Sequence, residues 1–274
     1  MHTVTAHGAE IPALGFGTFR MNDADTARMV AHVLKTGYRH IDTAQIYRNE
    51  AAVGQGLAAS GVRRADVFLT TKVWVDAFAE PAFAKSVDDS LARLGTDYVD
   101  LLLLHWPNDR VPLADQIGSL NAVRQAGRAR HIGVSNYSTA LMAEAVALSA
   151  APIVTNQVEY HPYLDQTPVL DAARAAGISV TAYYAMADGR IPADPVITAI
   201  AERLGRTPAQ VVLRWLVQQD GVVALSKTVS EDRAAANRAI FDFALSPEDM
   251  AAIHALRRPD GRIVSPAGLA PAWD

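Results

Sequence analysis

Four side chains that could carry out acid–base chemistry lie at or just after apolar, strand-like runs of the sequence. Asp42 ends one such run, Tyr47 follows it closely, and Lys72 and His105 each come directly after another run. Burying an ionisable group at the end of a strand is unfavourable unless the group is paired or has a function. We therefore expect these four residues to form a catalytic site.

Tyr47 is the candidate proton donor. A phenol with an ordinary pKa near 10 is a weak acid at neutral pH, and lowering its pKa by roughly three units requires about 4 kcal/mol. An ammonium group about 4 Å away supplies roughly that much at an effective dielectric constant near 20. We expect Lys72 to lower the pKa of Tyr47, Asp42 to orient Lys72, and His105 to donate a hydrogen bond to a substrate carbonyl.

The chain has no cysteine, so thiolate nucleophiles, thiolate metal sites and disulfides are excluded. Its eight histidines show no spacing typical of a metal site, and we predict none. Redox chemistry at this site would therefore require a bound hydride donor.

Eight short apolar runs alternate with amphipathic stretches, a pattern typical of βα units. The predicted strands cover residues 15–18, 40–42, 67–71, 99–104, 132–134, 153–158, 178–182 and 222–225. Helical spacing follows them at residues 26–34, 50–59, 83–94, 113–125, 140–147, 168–176, 208–218 and 231–240, and Ser246-Pro247-Glu248 opens a further helix. The sequence predicts an α/β fold: a single (β/α)8 TIM barrel domain over residues 1–274, with a short irregular tail from residue 259.

In such a barrel the functional groups cluster at the carboxyl ends of the strands. Besides the four candidates above, polar or small residues stand at these ends at Gly17, Thr18, Ser135, Asn136, Gln157, Tyr183, Lys227 and Thr228. We expect them to surround the same site.

Several of these segments together closely resemble the aldo-keto reductase superfamily. They are residues 37–44 (GYRHIDTA) followed by Tyr47, residues 71–74 (TKVW), 104–107 (LHWP), 132–136 (IGVSN) and 156–159 (NQVE). The resemblance covers nearly the whole chain. It implies that Asp42, Tyr47, Lys72 and His105 are a catalytic tetrad.

The resemblance also implies the cofactor site. Ser135, Asn136 and Gln157 match contacts to a nicotinamide amide, Tyr183 matches the aromatic ring on which the nicotinamide stacks, and Gly17, Thr18 and Asp42 complete the set at this end. Residues 227–237 resemble the family's adenosine-phosphate loop, which places Lys227, Thr228, Arg233 and Asn237 at the adenine end. Two cations and a hydroxyl suit a 2′-phosphate, so we expect NADPH rather than NADH.

Within the superfamily the chain is most similar to bacterial 2,5-diketo-D-gluconate reductases of the B type, which also reduce methylglyoxal. Much of this similarity lies in residues 262–274 (RIVSPAGLAPAWD). A short tail and a short loop after Tyr183 imply an open pocket, in which Tyr47 and His105 meet the substrate and Trp74 and Trp106 form apolar walls. Tyr184 and Ser226 depart from the usual family residues, and we assign them no contact.

The chain has 274 residues and a net charge of −4, which argues against a nucleic-acid partner. It lacks a signal-like N-terminus and any long uninterrupted apolar stretch, so we expect a cytoplasmic protein without membrane contact. The family resemblance favours a monomer that acts on a small carbonyl substrate.

Two other functions are compatible with a barrel. A nucleotide-binding redox sensor would keep the cofactor site and lose turnover, and the intact tetrad argues against it. A metal-assisted hydrolase or isomerase would require paired carboxylates or metal ligands at the strand ends, which the sequence does not show.

Overall fold

The computed structural model describes residues 2–274. The chain first forms an antiparallel hairpin of β1 (Thr3–Ala6) and β2 (Ala9–Pro12). The following strands are β3 (Leu14–Gly17), β4 (His40–Asp42), β5 (Phe68–Val73), β6 (Val99–Leu104), β7 (Ala129–Ser135), β8 (Ile153–Glu159), β9 (Ser179–Tyr183) and β10 (Val222–Ser226). These eight pair in parallel and close into a barrel in which β10 lies between β9 and β3.

Ten α-helices of the described chain surround the barrel. They are α1 (Asp23–Lys35), α2 (Glu50–Ser60), α3 (Ala82–Leu94), α4 (Leu113–Gln125), α5 (Thr139–Leu148), α6 (Thr167–Ala175), α7 (Pro195–Leu204), α8 (Pro208–Val217), α9 (Glu231–Arg238) and α10 (Pro247–His254). None of the helices within residues 2–274 has the length and apolar character required to cross a membrane.

The predicted (β/α)8 barrel is confirmed: each of the eight predicted strands is present, with ends that differ by up to three residues. The helix ends follow local chemistry. Gly61 and Gly95 adopt positive φ angles of 70° and 66° just after α2 and α3, where a residue with a Cβ would be strained. Ser246 caps the predicted last helix by accepting a hydrogen bond from Asp249 N.

Two elements were not predicted. The hairpin closes one end of the barrel, where Ala6, Ala9 and Ile11 pack in one apolar cluster with inward side chains such as Leu101 and Leu103. The second unpredicted element is α7, which follows two 3-10 turns between Tyr183 and α8. A local signal for α7 exists in Asp194-Pro195: the Asp194 carboxylate accepts from Val196 N, and Pro195 occupies the first turn.

Two predicted helix boundaries were also wrong. The first helix begins at Asp23, three residues before the predicted start at Thr26, because Asn22 caps it by accepting from Asp25 N. Helix α9 ends at Arg238 rather than at the predicted Ile240, because the backbone leaves the helical region at Ala239.

Alternation along the strands directs polar groups into the barrel. His40 and Asp42 of β4 and Thr70 and Lys72 of β5 point inward, since His40 Nε2 lies 3.2 Å from Thr70 Oγ1 and Lys72 Nζ contacts Asp42. Asp42 pairs with Thr70 in the ladder, so the two strands carry their polar residues at matching heights. The barrel therefore presents a polar layer at the carboxyl ends of its strands.

The predicted irregular tail contains no helix or strand, yet it packs tightly at Gly261. Arg258 N donates to the carbonyl oxygen of Tyr163 over 2.9 Å, and Gly261 N donates to the carbonyl oxygen of Arg258 over 3.1 Å. A Cβ at Gly261 would lie 1.8 Å from the Tyr163 oxygen, so only glycine fits.

We predict that Gly261→Ala lowers the free energy of unfolding by about 1–3 kcal/mol, because the tail must shift away from Tyr163. Gly118→Ala is the matched control: this exposed position in α4 has nothing within 4 Å of an added Cβ, and alanine should stabilise by about 0.5–1 kcal/mol. Urea unfolding of both variants measures the difference. Equal midpoints would contradict the packing argument.

Candidate active site

The centre of the site is the ammonium group of Lys72, which is fully buried. Its nitrogen lies 2.5 Å from Asp42 Oδ1, 2.9 Å from the carbonyl oxygen of Thr43 and 3.4 Å from the hydroxyl oxygen of Tyr47. An ammonium has three donors, and these three acceptors use all of them. The structure thus brings Asp42, Tyr47 and Lys72 together, as the sequence predicts.

The second carboxylate oxygen of Asp42 is also engaged. Gln157 at the end of β8 donates to Asp42 Oδ2 over 2.7 Å. Asp42 is therefore held from two sides, by a cation on β5 and by an amide across the barrel. This arrangement fixes the carboxylate and, through it, the position of the Lys72 ammonium.

The expectation that Lys72 lowers the pKa of Tyr47 was wrong. Burial raises the pKa of the phenol well above its ordinary value, and the nearby charge of Asp42 raises it further. The separation of 3.4 Å is as close as expected, but Asp42 lies closer still to the ammonium and offsets its field at the phenol. Tyr47 consequently retains its proton at neutral pH and stands ready as an acid.

His105 lies beside Tyr47, with the two ring centroids 5.6 Å apart and nearly perpendicular. Burial and the charge of Lys72 hold the pKa of His105 well below its ordinary range, so the imidazole is neutral. Nothing within residues 2–274 bonds to its buried Nδ1. The tautomer protonated on Nε2 leaves no buried donor unpaired, which suits donation to a substrate oxygen.

The loop that carries Tyr47 is held by Asn49, which the sequence analysis did not select as a site residue. Its buried amide donates to the carbonyl oxygen of Thr18 over 2.9 Å and accepts from Thr43 Oγ1 over 3.1 Å. Thr18 is itself fully buried, and its N–H and hydroxyl bond to the backbone of Asp42 and to Thr43. Its polar groups are thus used within the protein, and its assignment as a cofactor contact has no free polar group to rest on.

The predicted amide-binding residues meet at the ends of β7 and β8. Ser135 Oγ donates to the carbonyl oxygen of Gln157 over 2.8 Å, and Asn136 donates to that of His105 over 3.0 Å. Tyr183 on β9 donates its hydroxyl proton to Asn136 Oδ1 over 2.6 Å while its ring remains partly exposed. These groups form a flat, amide-rich surface beside the tetrad.

The remaining predicted cofactor residues are Lys227 and Thr228, which follow β10, and Arg233 and Asn237, which lie near the start and the end of α9. Lys227 and Arg233 are exposed, whereas Asn237 is buried. Ser230 caps the start of α9 by accepting from Arg233 N, and the first turn carries Glu231 and Asp232, so Lys227 and Arg233 rather than the helix end would bind an anion. Arg28, which was not predicted, braces this loop by donating to the Val229 carbonyl oxygen over 2.9 Å.

A cofactor that carries a carboxamide on a ring at one end and a phosphate at the other end suits this arrangement. At Gly17 a Cβ would meet only the Ser226 carbonyl oxygen, at 3.9 Å, so space remains between the ends of β3 and β10. Ser135 and Gln157 end β7 and β8, and Lys227 to Asn237 follow β10, which borders this space and is separated from β8 by β9 alone. The residues present therefore fit a nicotinamide dinucleotide.

Aromatic rings surround the tetrad. Trp74 stands edge-on to His105 with centroids 5.3 Å apart, and the exposed Phe19 packs on Tyr47 at 5.0 Å. Trp106 is mostly buried and contacts Trp273 of the tail, with centroids 6.3 Å apart. Phe19 and Trp273 escaped the sequence analysis, because nothing in their local patterns shows that a loop and a tail converge here.

Comparisons with known proteins identify the family. A family model described as the Aldo/keto reductase family matches residues 13–258. The chain belongs to the aldo/keto reductase family. It is 44% identical to a methylglyoxal reductase DkgB of Yersinia pestis, over 96% of this chain and 99% of that protein.

Solved structures of other aldo/keto reductases have the same fold over nearly the whole chain. One protein provisionally named 2,5-diketo-D-gluconic acid reductase B is 63% identical, covers 100% of this chain and 98% of its own, and superposes with a TM-score of 0.99. The aldo-keto reductase of Bombyx mori, solved in complex with NADP, is 32% identical over 94% of each chain, with a TM-score of 0.87. The chain is accordingly an oxidoreductase enzyme.

We predict a flat pH profile for carbonyl reduction between about pH 6 and about pH 8. His105, with its lowered pKa, stays neutral over this range, and Tyr47, with its raised pKa, stays protonated. The measurement is kcat/KM for a neutral aldehyde as a function of pH. An inflection near the ordinary histidine pKa of about 6.5 would show that His105 titrates and would contradict this assignment.

Proposed function

We propose that the protein reduces small aldehydes and ketones to alcohols with NADPH, and that Tyr47 is the general acid. The observation that supports this most directly is the chain of contacts from Asp42 through Lys72 to the Tyr47 hydroxyl. It holds a protonated phenol beside a neutral imidazole, and a developing alkoxide requires both groups.

NADPH supplies the hydride when it is bound. Ser135, Asn136 and Gln157 would hold its amide, the Tyr183 ring would support the nicotinamide, and Gly17 and Asp42 would line the space between. Lys227, Thr228, Arg233 and Asn237 would hold the adenine end and its 2′-phosphate. The two exposed cations favour the phosphate over a ribose hydroxyl.

The residues of this chain then have distinct parts in the proton transfer. His105 donates to the carbonyl oxygen and orients it, and Tyr47 delivers its proton as negative charge develops there. An alkoxide is far more basic than a phenolate, so the transfer is favourable although the pKa of Tyr47 is raised. The Lys72 ammonium remains within reach of the phenolate that results and stabilises it, while Asp42 keeps Lys72 oriented.

The relatives suggest the substrates. They carry the names methylglyoxal reductase and 2,5-diketo-D-gluconic acid reductase, and we propose compounds of these kinds for this chain. Trp74 and Trp106 would form apolar walls beside Tyr47 and His105. We further propose that residues 1–274 act as one domain and as a cytoplasmic monomer.

We predict that Tyr47→Phe reduces kcat for methylglyoxal by about 10²–10⁴-fold, because the ring stays and the proton donor is lost. NADPH affinity, followed by quenching of tryptophan fluorescence, should stay nearly unchanged. Oxidation of NADPH by the wild-type protein with methylglyoxal tests the whole proposal. Tight NADPH binding by the wild type without turnover of any carbonyl would favour a nucleotide sensor instead.

We predict that Arg233→Ala weakens NADPH binding about tenfold or more and leaves NADH binding nearly unchanged, because only NADPH carries the 2′-phosphate. Arg238→Ala is the matched control, since Arg238 lies on the same helix and packs against Gly37 instead. Affinities for both nucleotides are measured by titration. Equal losses for NADPH and NADH in Arg233→Ala would refute a phosphate contact.

A further inference from the structure

The C-terminal tail is fixed over one side of the candidate active site. The Glu159 carboxylate, at the end of β8, accepts from Ile263 N and Val264 N, each over 2.8 Å. Farther along, the Asp274 carboxylate accepts from Thr139 N at the start of α5. The tail thus crosses the carboxyl ends of β7 and β8, where the site opens.

Arg262 lies between the tail anchors and the aromatic wall. Its guanidinium carbon is 3.7 Å from the ring centroid of Trp273, which packs against Trp106 next to His105. Tyr183 and Glu159 lie near enough to feel the charge of Arg262, which partly opposes the rise that burial causes in the pKa of the Tyr183 phenol. These contacts place the guanidinium at the edge of the substrate pocket.

Arg262 forms no ion pair within residues 2–274, although the carboxylates of Glu159 and Asp274 lie near enough to act on its charge. Its Nη1 is buried and, among residues 2–274, meets no hydrogen-bond acceptor. The nearby carboxylates are already engaged: Glu159 accepts from His161 and from the tail backbone, and Asp274 accepts from Thr139. Burial lowers the pKa of Arg262, as expected for a cation that the surrounding protein does not fully compensate.

Two neighbouring arginines of the same segment, unlike Arg262, each lie beside a carboxylate partner. Arg257 pairs with Asp165 at 3.1 Å, and Arg258 lies 3.9 Å from Asp194 while stacking on Tyr163. A buried donor without a partner is uncommon in a folded protein and points to a ligand. The cofactor's phosphates are an unsuitable candidate, because Lys227 and Arg233 follow β10, across the barrel from Trp106 and β6.

We propose that Arg262 binds a carboxylate of the substrate, so that the site prefers carbonyl compounds that also carry a carboxylate group. This inference rests on the proposed reductase function. The planar guanidinium suits a two-point bond to a carboxylate, and stacking on Trp273 holds it in one orientation. The carbonyl would then face Tyr47 and His105 while the acid group faces the tail.

The test compares succinic semialdehyde with butanal, which have the same chain length and differ by the carboxylate. Arg262→Gln should lower kcat/KM for succinic semialdehyde about 10- to 100-fold, mainly through KM, because a hydrogen-bonded ion contact is lost. Butanal should change by less than about threefold. Arg262→Lys should retain part of the preference for succinic semialdehyde, since lysine keeps the positive charge but cannot form a two-point hydrogen bond to the carboxylate.

Arg258→Gln is the control: it removes a stacked arginine from the same segment, away from the tetrad, and should alter neither substrate. Equal losses for both aldehydes in Arg262→Gln would mean that Arg262 only supports the tail and would overturn the proposal. Unchanged kinetics for both would do the same. Thermal melting of each variant establishes that the fold is retained.

A binding measurement separates this inference from the proposed function. Titration with glutarate should change the tryptophan fluorescence of the wild type saturably, through Trp273, and should do so much more weakly in Arg262→Gln. If the wild type reduces neither aldehyde but shows this difference, the reductase function fails and the carboxylate site stands. Identical titrations of the two proteins would overturn the site.

Discussion

A charged amine buried inside a barrel of apolar strands constrains everything around it. Lys72 is fully buried, and an isolated ammonium in such surroundings would cost several kcal/mol. Asp42, the Thr43 carbonyl group and Tyr47 satisfy its three donors, so neighbouring strands must keep the register that brings them together. Removing Asp42 alone would leave an uncompensated charge, a change that typically destabilises by about 3–5 kcal/mol. The stability of the barrel and the geometry of the site therefore depend on the same contacts.

The same pair also determines the protonation of its neighbours. An unpaired Lys72 ammonium would stabilise the phenolate and so lower the pKa of Tyr47, but Asp42 lies beside the ammonium and raises that pKa, and burial penalises the phenolate. Burial and the charge of Lys72 lower the pKa of His105, so this imidazole stays neutral. Tyr47 therefore keeps its proton and His105 is neutral, which is the state that the proposed reduction requires at its start. The sequence analysis gave Asp42 only the role of orienting Lys72, and it counted neither the burial of the phenol nor the effect of the Asp42 charge on it, so its direction for the pKa shift of Tyr47 was wrong.

The barrel and the tetrad could be predicted because each depends on local pattern. Strand alternation sends Asp42 and Lys72 to the same side, and parallel strands bring their ends to the same edge. The hairpin that closes the barrel has no such signature, because its burial depends on Leu101 and Leu103, which are far away in the sequence. Asn49 was missed because its partner is also distant in the sequence. An asparagine just before a helix typically caps that helix, whereas the amide of Asn49 bonds to the carbonyl oxygen of Thr18.

The tail shows where prediction from sequence ends. Its Pro, Gly and Ala content correctly indicates irregular backbone, but irregular backbone can still be rigid when distant groups hold it. Glu159, read from the sequence as part of a motif, turns out to be the buried carboxylate that binds two tail N–H groups. The two N–H groups do not neutralise the carboxylate, whose charge still acts on Arg262. A residue at the end of β8 therefore holds a tail that lies 104 and 105 positions later in the sequence, and no local pattern reveals such a contact.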